Sequence, residues 1–150
     1  MAEETEENQP SFGILAQGIT DLSFERFVPF NYQPEDGVEP KMEVQVKVSS
    51  AKTEEENVYK VDLFLSVGAN AGTKKIFLLE LTYTGMFFIA NLSNEMFAQV
   101  LNIECPRLLF PFARAIVGST VAAGNMPMPL LPPIDFADLY LKNLQEQQQK

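Results

Sequence analysis

Cys105 is the one soft nucleophile in the sequence, and nothing in the chain is suited to activate it. A catalytic thiol needs a neighbouring base or cation to hold its thiolate, most often a histidine. The 150 residues contain no histidine at all. That absence removes Ser-His and Cys-His couples, the imidazole general base and the commonest zinc and haem ligands. Cys105 also precedes Pro106 in an apolar stretch, which points to an inert buried thiol. Carboxylates are plentiful, but they fall in polar loops or on the wet sides of strands, where solvation is their expected role. No Asp-x-Asp-x-Asp loop offers a calcium site. The glycines fit neither a phosphate-cradling loop nor a dinucleotide fingerprint. These residues describe a protein that binds rather than catalyses, without metal or cofactor.

Charge narrows the partners. Aspartate and glutamate number 20 against 11 lysines and arginines, a formal net charge of −9. Phosphate backbones and anionic membranes call for clustered cations, so no nucleic acid and no direct membrane insertion are expected. No apolar run approaches the roughly 18 residues that cross a bilayer. The opening Met1-Ala2-Glu3-Glu4-Thr5-Glu6-Glu7 has neither the basic start nor the apolar run of a secretory signal. A single cysteine suits a reducing compartment. The expected location is the cytoplasm.

With 46% hydrophobic residues the chain has the material for one core. Residues 1–11 read as a disordered acidic tail, 12–144 as a single domain and 145–150 as a frayed Gln-rich end. The first two-thirds carries strand patterns. Phe12 to Glu25 is strand-like, with Leu22 and Phe24 on one face and Asp21, Ser23 and Glu25 on the other. Residues 28–37 hold two prolines and an Asp-Gly, which predicts a loop. Lys41 to Ser49 alternates Met42, Val44, Val46 and Val48 with polar residues. Val58 to Gly68 alternates Tyr59, Val61, Leu63, Leu65 and Val67 with Lys60, Asp62 and Ser66. In Lys75 to Thr84, Phe77, Leu79, Leu81 and Tyr83 face one way and Ile76, Leu78, Glu80 and Thr82 the other. Gly85 is expected to break that strand, with residues 86–89 resuming past a bulge.

The last third reads as helices. Ser93 is placed to cap a short helix ending near Ile103, and Pro106 is expected to break or kink it. A second helix is expected from about Arg107 to Ala123, with Leu108, Phe112, Ala115, Ile116 and Ser119 as its stripe and Gly124 beyond its end. Pro111 would be tolerated only in its first turn. After an extended Met-Pro segment, Asp135 caps a final helix whose apolar face is Phe136, Leu139, Tyr140 and Leu144. The pattern is α+β: a four-stranded antiparallel sheet followed by helices packed on one face.

One sheet covered on one side needs one apolar face, yet this sequence has more. Ile76, Leu78, Val58 and Phe64 oppose their strands' main apolar sets, and Leu108 to Val117 is apolar nearly all round. Met126, Met128, Leu130 and Leu131 add to it. Surplus apolar surface of this kind serves self-association or apolar ligands, and methionine beside loops suits promiscuous recognition.

At Cys105-Pro106-Arg107-Leu108-Leu109-Phe110-Pro111-Phe112-Ala113-Arg114 the sequence resembles the C-P-x-x-L-F-P-[YF]-A-R segment of the SecB protein-export chaperones. Pro132 to Tyr140 is similar to that family's A-P-V-N-F-D-x-L-F/Y region, and Thr20 to Glu25 to its K-D-[IL]-S-F-E strand. The resemblance implies a homotetramer, a dimer of dimers, that binds unfolded precursor polypeptides without nucleotide and hands them to the SecA motor. It implies SecA contacts at Asp21, Glu25, Leu78 and Glu80. It implies client contacts at Tyr32, Met42, Val44, Phe112 and Tyr140. Tyr32 stands where many relatives carry tryptophan, and residues 35–39 make the loop longer than in the commonest pattern. The alternative is a non-catalytic oligomeric adaptor that binds one folded partner.

Overall fold

Val61, Leu63, Leu65 and Val67 alternate with Lys60, Asp62, Phe64 and Ser66, and that alternation decides which side of the sheet is dry. All four apolar residues are fully buried. The computed structural model describes residues 9–127, 129 and 131–148. The acidic residues Glu3 to Glu7, Met128, Leu130 and the last two residues lie outside them.

Four strands, β1 (Ser11–Arg26), β2 (Lys41–Lys52), β3 (Val58–Ala71) and β4 (Lys74–Ala90), form one antiparallel sheet in the order β1-β4-β3-β2. Leu65 pairs with Leu81, Leu63 with Tyr83 and Val67 with Leu79, so one face of the central pair is continuous apolar core. The β3–β4 hairpin is tighter than the sequence suggested. Both strands run up to a loop of Gly72 and Thr73, where Gly72 adopts φ 61°, a value glycine reaches without strain. Strand β1 carries two register shifts, between Ile14 and Ala16 and between Ile19 and Asp21. At the second, Thr20 Oγ1 lies 2.8 Å from Thr84 Oγ1, which donates to Asp62 Oδ1 at 2.6 Å.

Gly85 does not break β4. The strand passes through it in register with both neighbours. Its missing side chain is occupied space: a Cβ there would stand 2.5 Å from the Phe87 ring and 2.8 Å from Leu109. The irregularities lie elsewhere, two in β1 and one in β4 at Ile76, which is skipped where Ala69 pairs with Phe77 and Asn70 with Lys75 and which is buried rather than left on the outer face.

Helices follow as expected, with corrected boundaries. Helix α1 (Asn94–Gln99) is capped by Ser93, whose Oγ accepts from Met96 N. A π-helical turn, Val100–Glu104, joins it without a break to α2 (Cys105–Ala123). Pro106 follows just after that π turn, where the wider i→i−5 pattern, seen in Cys105 N bonding Val100 O, accommodates a residue that has no N–H to donate. Pro111 lies inside α2, not in its first turn. It is on the exposed side, so the carbonyl it leaves unbonded faces water.

The stripe expected on α2 points the wrong way. The buried line is Cys105, Leu109, Ala113, Val117 and Val121, each four residues apart and fully buried, whereas Leu108 and Phe112 are 46% and 50% exposed. With apolar residues all round, periodicity could not say which side turns inward. The end of α2 differs too. Gly124 has φ −81°, and the left-handed residue is Asn125 at φ 59°. Asn125 N bonds Ala122 O and Met126 N bonds Val121 O, the two bonds of a Schellman end. Position 124 is glycine for lack of room, since a Cβ would lie 2.4 Å from the Phe24 ring. Helix α3 (Phe136–Gln148) starts on Asp135, whose Oδ1 accepts from Asp138 N, and seats Phe136 against Phe110. Residues 145–148, expected to fray, form its exposed last turn.

Replacing Gly85 with alanine forces a methyl group into the Phe87–Leu109 contact. Urea denaturation of Gly85→Ala should show a loss of about 1–3 kcal/mol. An unchanged midpoint would mean that the ring and the helix do not close over that position.

Candidate functional site

The sheet order forces a long crossing. β1 ends at one side of the sheet and β2 begins at the other, so residues 27–40 must span the ends of β4 and β3, about 14 Å at ordinary strand spacing. Two turns shape the crossing. Tyr32 N bonds Pro29 O, and Val38 N bonds Glu35 O around Gly37 at φ 83°. Phe27 N bonds Ile76 O at its start, and Val28 is buried in the core.

Between this crossing and the end of α2 lies an open apolar cleft of about 560 Å³, within the range of sites that take a side chain or small ligand. One wall is Val28, Phe30, Tyr32, Pro34 and Pro40 of the crossing. The other is Asn125, Met126, Pro127 and Pro129, beyond α2. The floor is Met42, Ala69, Ile76 and Phe77 of the sheet. Phe30 is 76% exposed.

Of the five expected client contacts, the structure brings two together here, Tyr32 and Met42. Val44 lies one step along β2 on the same face; both it and Met42 are 40% exposed. Phe112 is elsewhere, stacked on Tyr83 with ring centroids 6.4 Å apart. Tyr140 belongs to the helix layer, one turn beyond Phe136. Phe30, Met126, Pro127 and Pro129 were missed as wall residues. Phe30 had a legible signal: an aromatic residue in a proline-bounded loop has no strand or helix to bury it.

The opposite face of the sheet is mixed, with Lys47, Lys60 and Phe64 on it as well, but its carboxylates gather at one end. Across it run two rows of register partners, Glu25–Leu78–Gly68–Glu43 and Ser23–Glu80–Ser66–Gln45. Asp21 stands beside them, opposite Thr82. Asp21, Glu25, Leu78 and Glu80 therefore share one face. Leu78 leans over Gly68, with its Cδ1 3.7 Å from where a Cβ would be. A shallow depression of about 210 Å³ there also touches Glu43 and Lys75.

A third surface is apolar. Phe12, Ile14, Ile19 and Leu22 of β1 point to the helix side yet stay exposed; Phe112 of α2 stacks on Tyr83, the register partner of Ile19, and Leu108, one turn before it, is exposed as well. Tyr83 Oη donates to Gln17 Oε1 at 3.2 Å.

Comparisons with known proteins bear on the family and the fold. The family model of preprotein translocase subunit SecB matches residues 5–147. The protein-export protein SecB of Rhodopseudomonas palustris (strain TIE-1) is 40% identical over 142 residues, covering 94% of this chain and 89% of that protein. Its counterpart in Zymomonas mobilis is 41% identical over 139 residues, covering 92% and 83%. The Mycobacterium tuberculosis Rv1957 SecB-like chaperone, solved with a ChAD peptide from the Rv1956 HigA1 antitoxin, is similar at a TM-score of 0.67. It is 10% identical, over 82% of this chain and 90% of that one, which shows a shared fold.

Cys105 is fully buried on the core line of α2. Burial, and then the neighbouring Glu104, push its thiol from 9.0 up to about 12. The unfolded chain therefore loses this proton first. Stability carried by the neutral thiol is complete below pH 9 and falls as pH rises from there toward about 12. At pH 8 the native thiol should resist a disulfide reagent that reacts promptly with the urea-unfolded chain. Equal rates would show that Cys105 is accessible.

Proposed function

The chain belongs to the SecB family of protein-export chaperones, and we propose that it is an ATP-independent holding chaperone of the cytoplasm that keeps unfolded precursors soluble and delivers them to SecA. The observation that carries this reading is the open apolar cleft flanked by the exposed Phe30, in a chain without a catalytic constellation. An apolar client side chain that leaves water there contributes roughly 1.5–3 kcal/mol. Several such weak sites give avidity without sequence specificity. Holding is then mass action on the unfolded state and consumes no nucleotide. That the mycobacterial chaperone of the same fold was solved with a peptide is in keeping with this role.

Several sites on one particle require assembly, and we assign that to the third surface. From Ser11 to Thr20 the edge strand β1 carries no charge, and its inward side chains are exposed together with Leu108 and Phe112. An uncharged edge and an uncovered apolar helix face are complementary to second copies of themselves, which supports a dimer of dimers. Val44 continues the client groove from Met42 along β2. Phe112 goes with the assembly surface rather than with the cleft.

The acidic end of the opposite sheet face takes the remaining role. Leu78, set between Glu25 and Glu80, suits a basic and partly apolar segment of SecA, steered by charge and seated on the leucine.

Light scattering after size exclusion tests the central reading without ATP. The full chain should elute at the mass of four copies and shift to a soluble complex with a permanently unfolded protein. The double variant Phe30→Ser, Met42→Ser should keep the mass and lose the shift. A tetramer that ignores unfolded chains would instead identify an adaptor. On the other face, Glu80→Lys should weaken SecA binding in calorimetry at least tenfold, about 1.4 kcal/mol, with client binding intact. Undiminished affinity would remove SecA from that surface.

A further inference from the structure

Arg26 is a cation on the inward side of β1, where Leu22 and Phe24 precede it and Phe77 is its register partner. Its hydrogen-bond partners there are backbone carbonyls. Nε donates to Val28 O at 2.9 Å and Nη2 to Pro29 O at 2.9 Å, both in the crossing. Nη1 donates to Gly124 O at 3.0 Å, at the end of α2. The guanidinium also lies 4.6 Å over the ring of Phe30. One planar group thus bonds the backbones that lead into both walls of the apolar cleft, which Arg26 itself lines.

The surroundings fit this fork. Phe24, two residues before Arg26, packs its ring where a side chain at Gly124 would stand, so the same stretch of β1 meets this helix end twice. Carbonyls at a helix C-terminus lack amide partners within the helix and carry its negative pole, so a cation there is favoured. A guanidinium offers five donors in a fixed plane, whereas an ammonium is a point donor on a flexible stem.

We propose that Arg26 is a positioning residue that sets the width of the cleft, tying Phe30 and the crossing to the end of α2 so that the apolar site stands open before a client arrives. A preformed site spares the ordering cost that binding would otherwise carry. The inference rests on the cleft being the client site, and the test separates the two.

Arg26→Met and Arg26→Lys are compared with Phe30→Ser in the full chain. Affinity is read by anisotropy of a fluorescent, reduced and carboxymethylated protein. Amide exchange is read at residues 27–40 and 125–127. Both Arg26 variants should weaken binding about tenfold and speed exchange in those two segments, while β3 and β4 stay protected. If Arg26→Met fails to fold, Arg26→Lys decides alone. Full affinity in Arg26→Lys would show that charge suffices and overturn the fork. Wild-type affinity in both Arg26 variants beside a weakened Phe30→Ser would overturn the proposal and leave the client site standing. Unchanged affinity in all three would remove the client site and this inference together.

Discussion

A single long helix is narrower than the sheet it covers, and the rest of the molecule depends on that mismatch. An α-helix with its side chains is about 10–12 Å across. Four strands span about 14 Å between the outer pair's axes before side chains are added. The core line of α2, from Cys105 to Val121, closes over the central strands β3 and β4, where Val61, Leu63, Leu65, Val67, Leu79, Leu81 and Phe87 are fully buried. The inward residues of the two edges are left over. On β1 these are Phe12, Ile14, Ile19 and Leu22, and on β2 they are Met42 and Val44. The proposed assembly surface and the proposed client groove are the two margins of one under-covered sheet.

The crossing turns the β2 margin from a bare strip into a cleft. Because β2 is the strand farthest from β1, residues 27–40 must travel over the strand ends, and their prolines and turns keep them from adding a fifth strand. Val28 anchors the crossing in the core, and Arg26 ties its start to the end of α2. Phe30 is left standing in solvent between those anchors. The cleft walls come from the crossing and from beyond α2, and its floor from β2, β3 and β4.

That geometry explains what the sequence made legible. The faces of β3 and β4 were readable because a strand buried on one side must alternate, and the acidic end of the outer face followed from the same alternation. The Ser93 and Asp135 caps were readable because their chemistry is local. The inward side of α2 was not, because Leu108 and Phe112 are as apolar as Leu109 and Ala113, and only the sheet decides between them. Gly85 and Gly124 misled for one reason: each is glycine because other side chains fill its Cβ space, Phe87 and Leu109 at the first and Phe24 at the second. Tyr32 and Met42 were placed together by resemblance. Their neighbours Met126 and Pro127 lie far along the chain, where spacing carries no information about proximity.

The two edges also differ in how they meet solvent, and the difference argues for their separate roles. β2 carries Lys41, Glu43, Lys47 and Lys52, charges that discourage another strand from pairing with it. On the proposed reading, this edge presents Met42 and Val44 to a client while its charges resist continuous addition of strands. β1 has no charge between Ser11 and Thr20, and its two register shifts bend it locally rather than shielding it. An edge left open in this way is a hazard in a monomer and becomes safe once a second copy closes it. The proposed division of labour follows from this contrast: the charged edge stays free for clients and the uncharged edge is taken by a second copy. The net charge of −9 favours solubility while that apolar surface stays exposed.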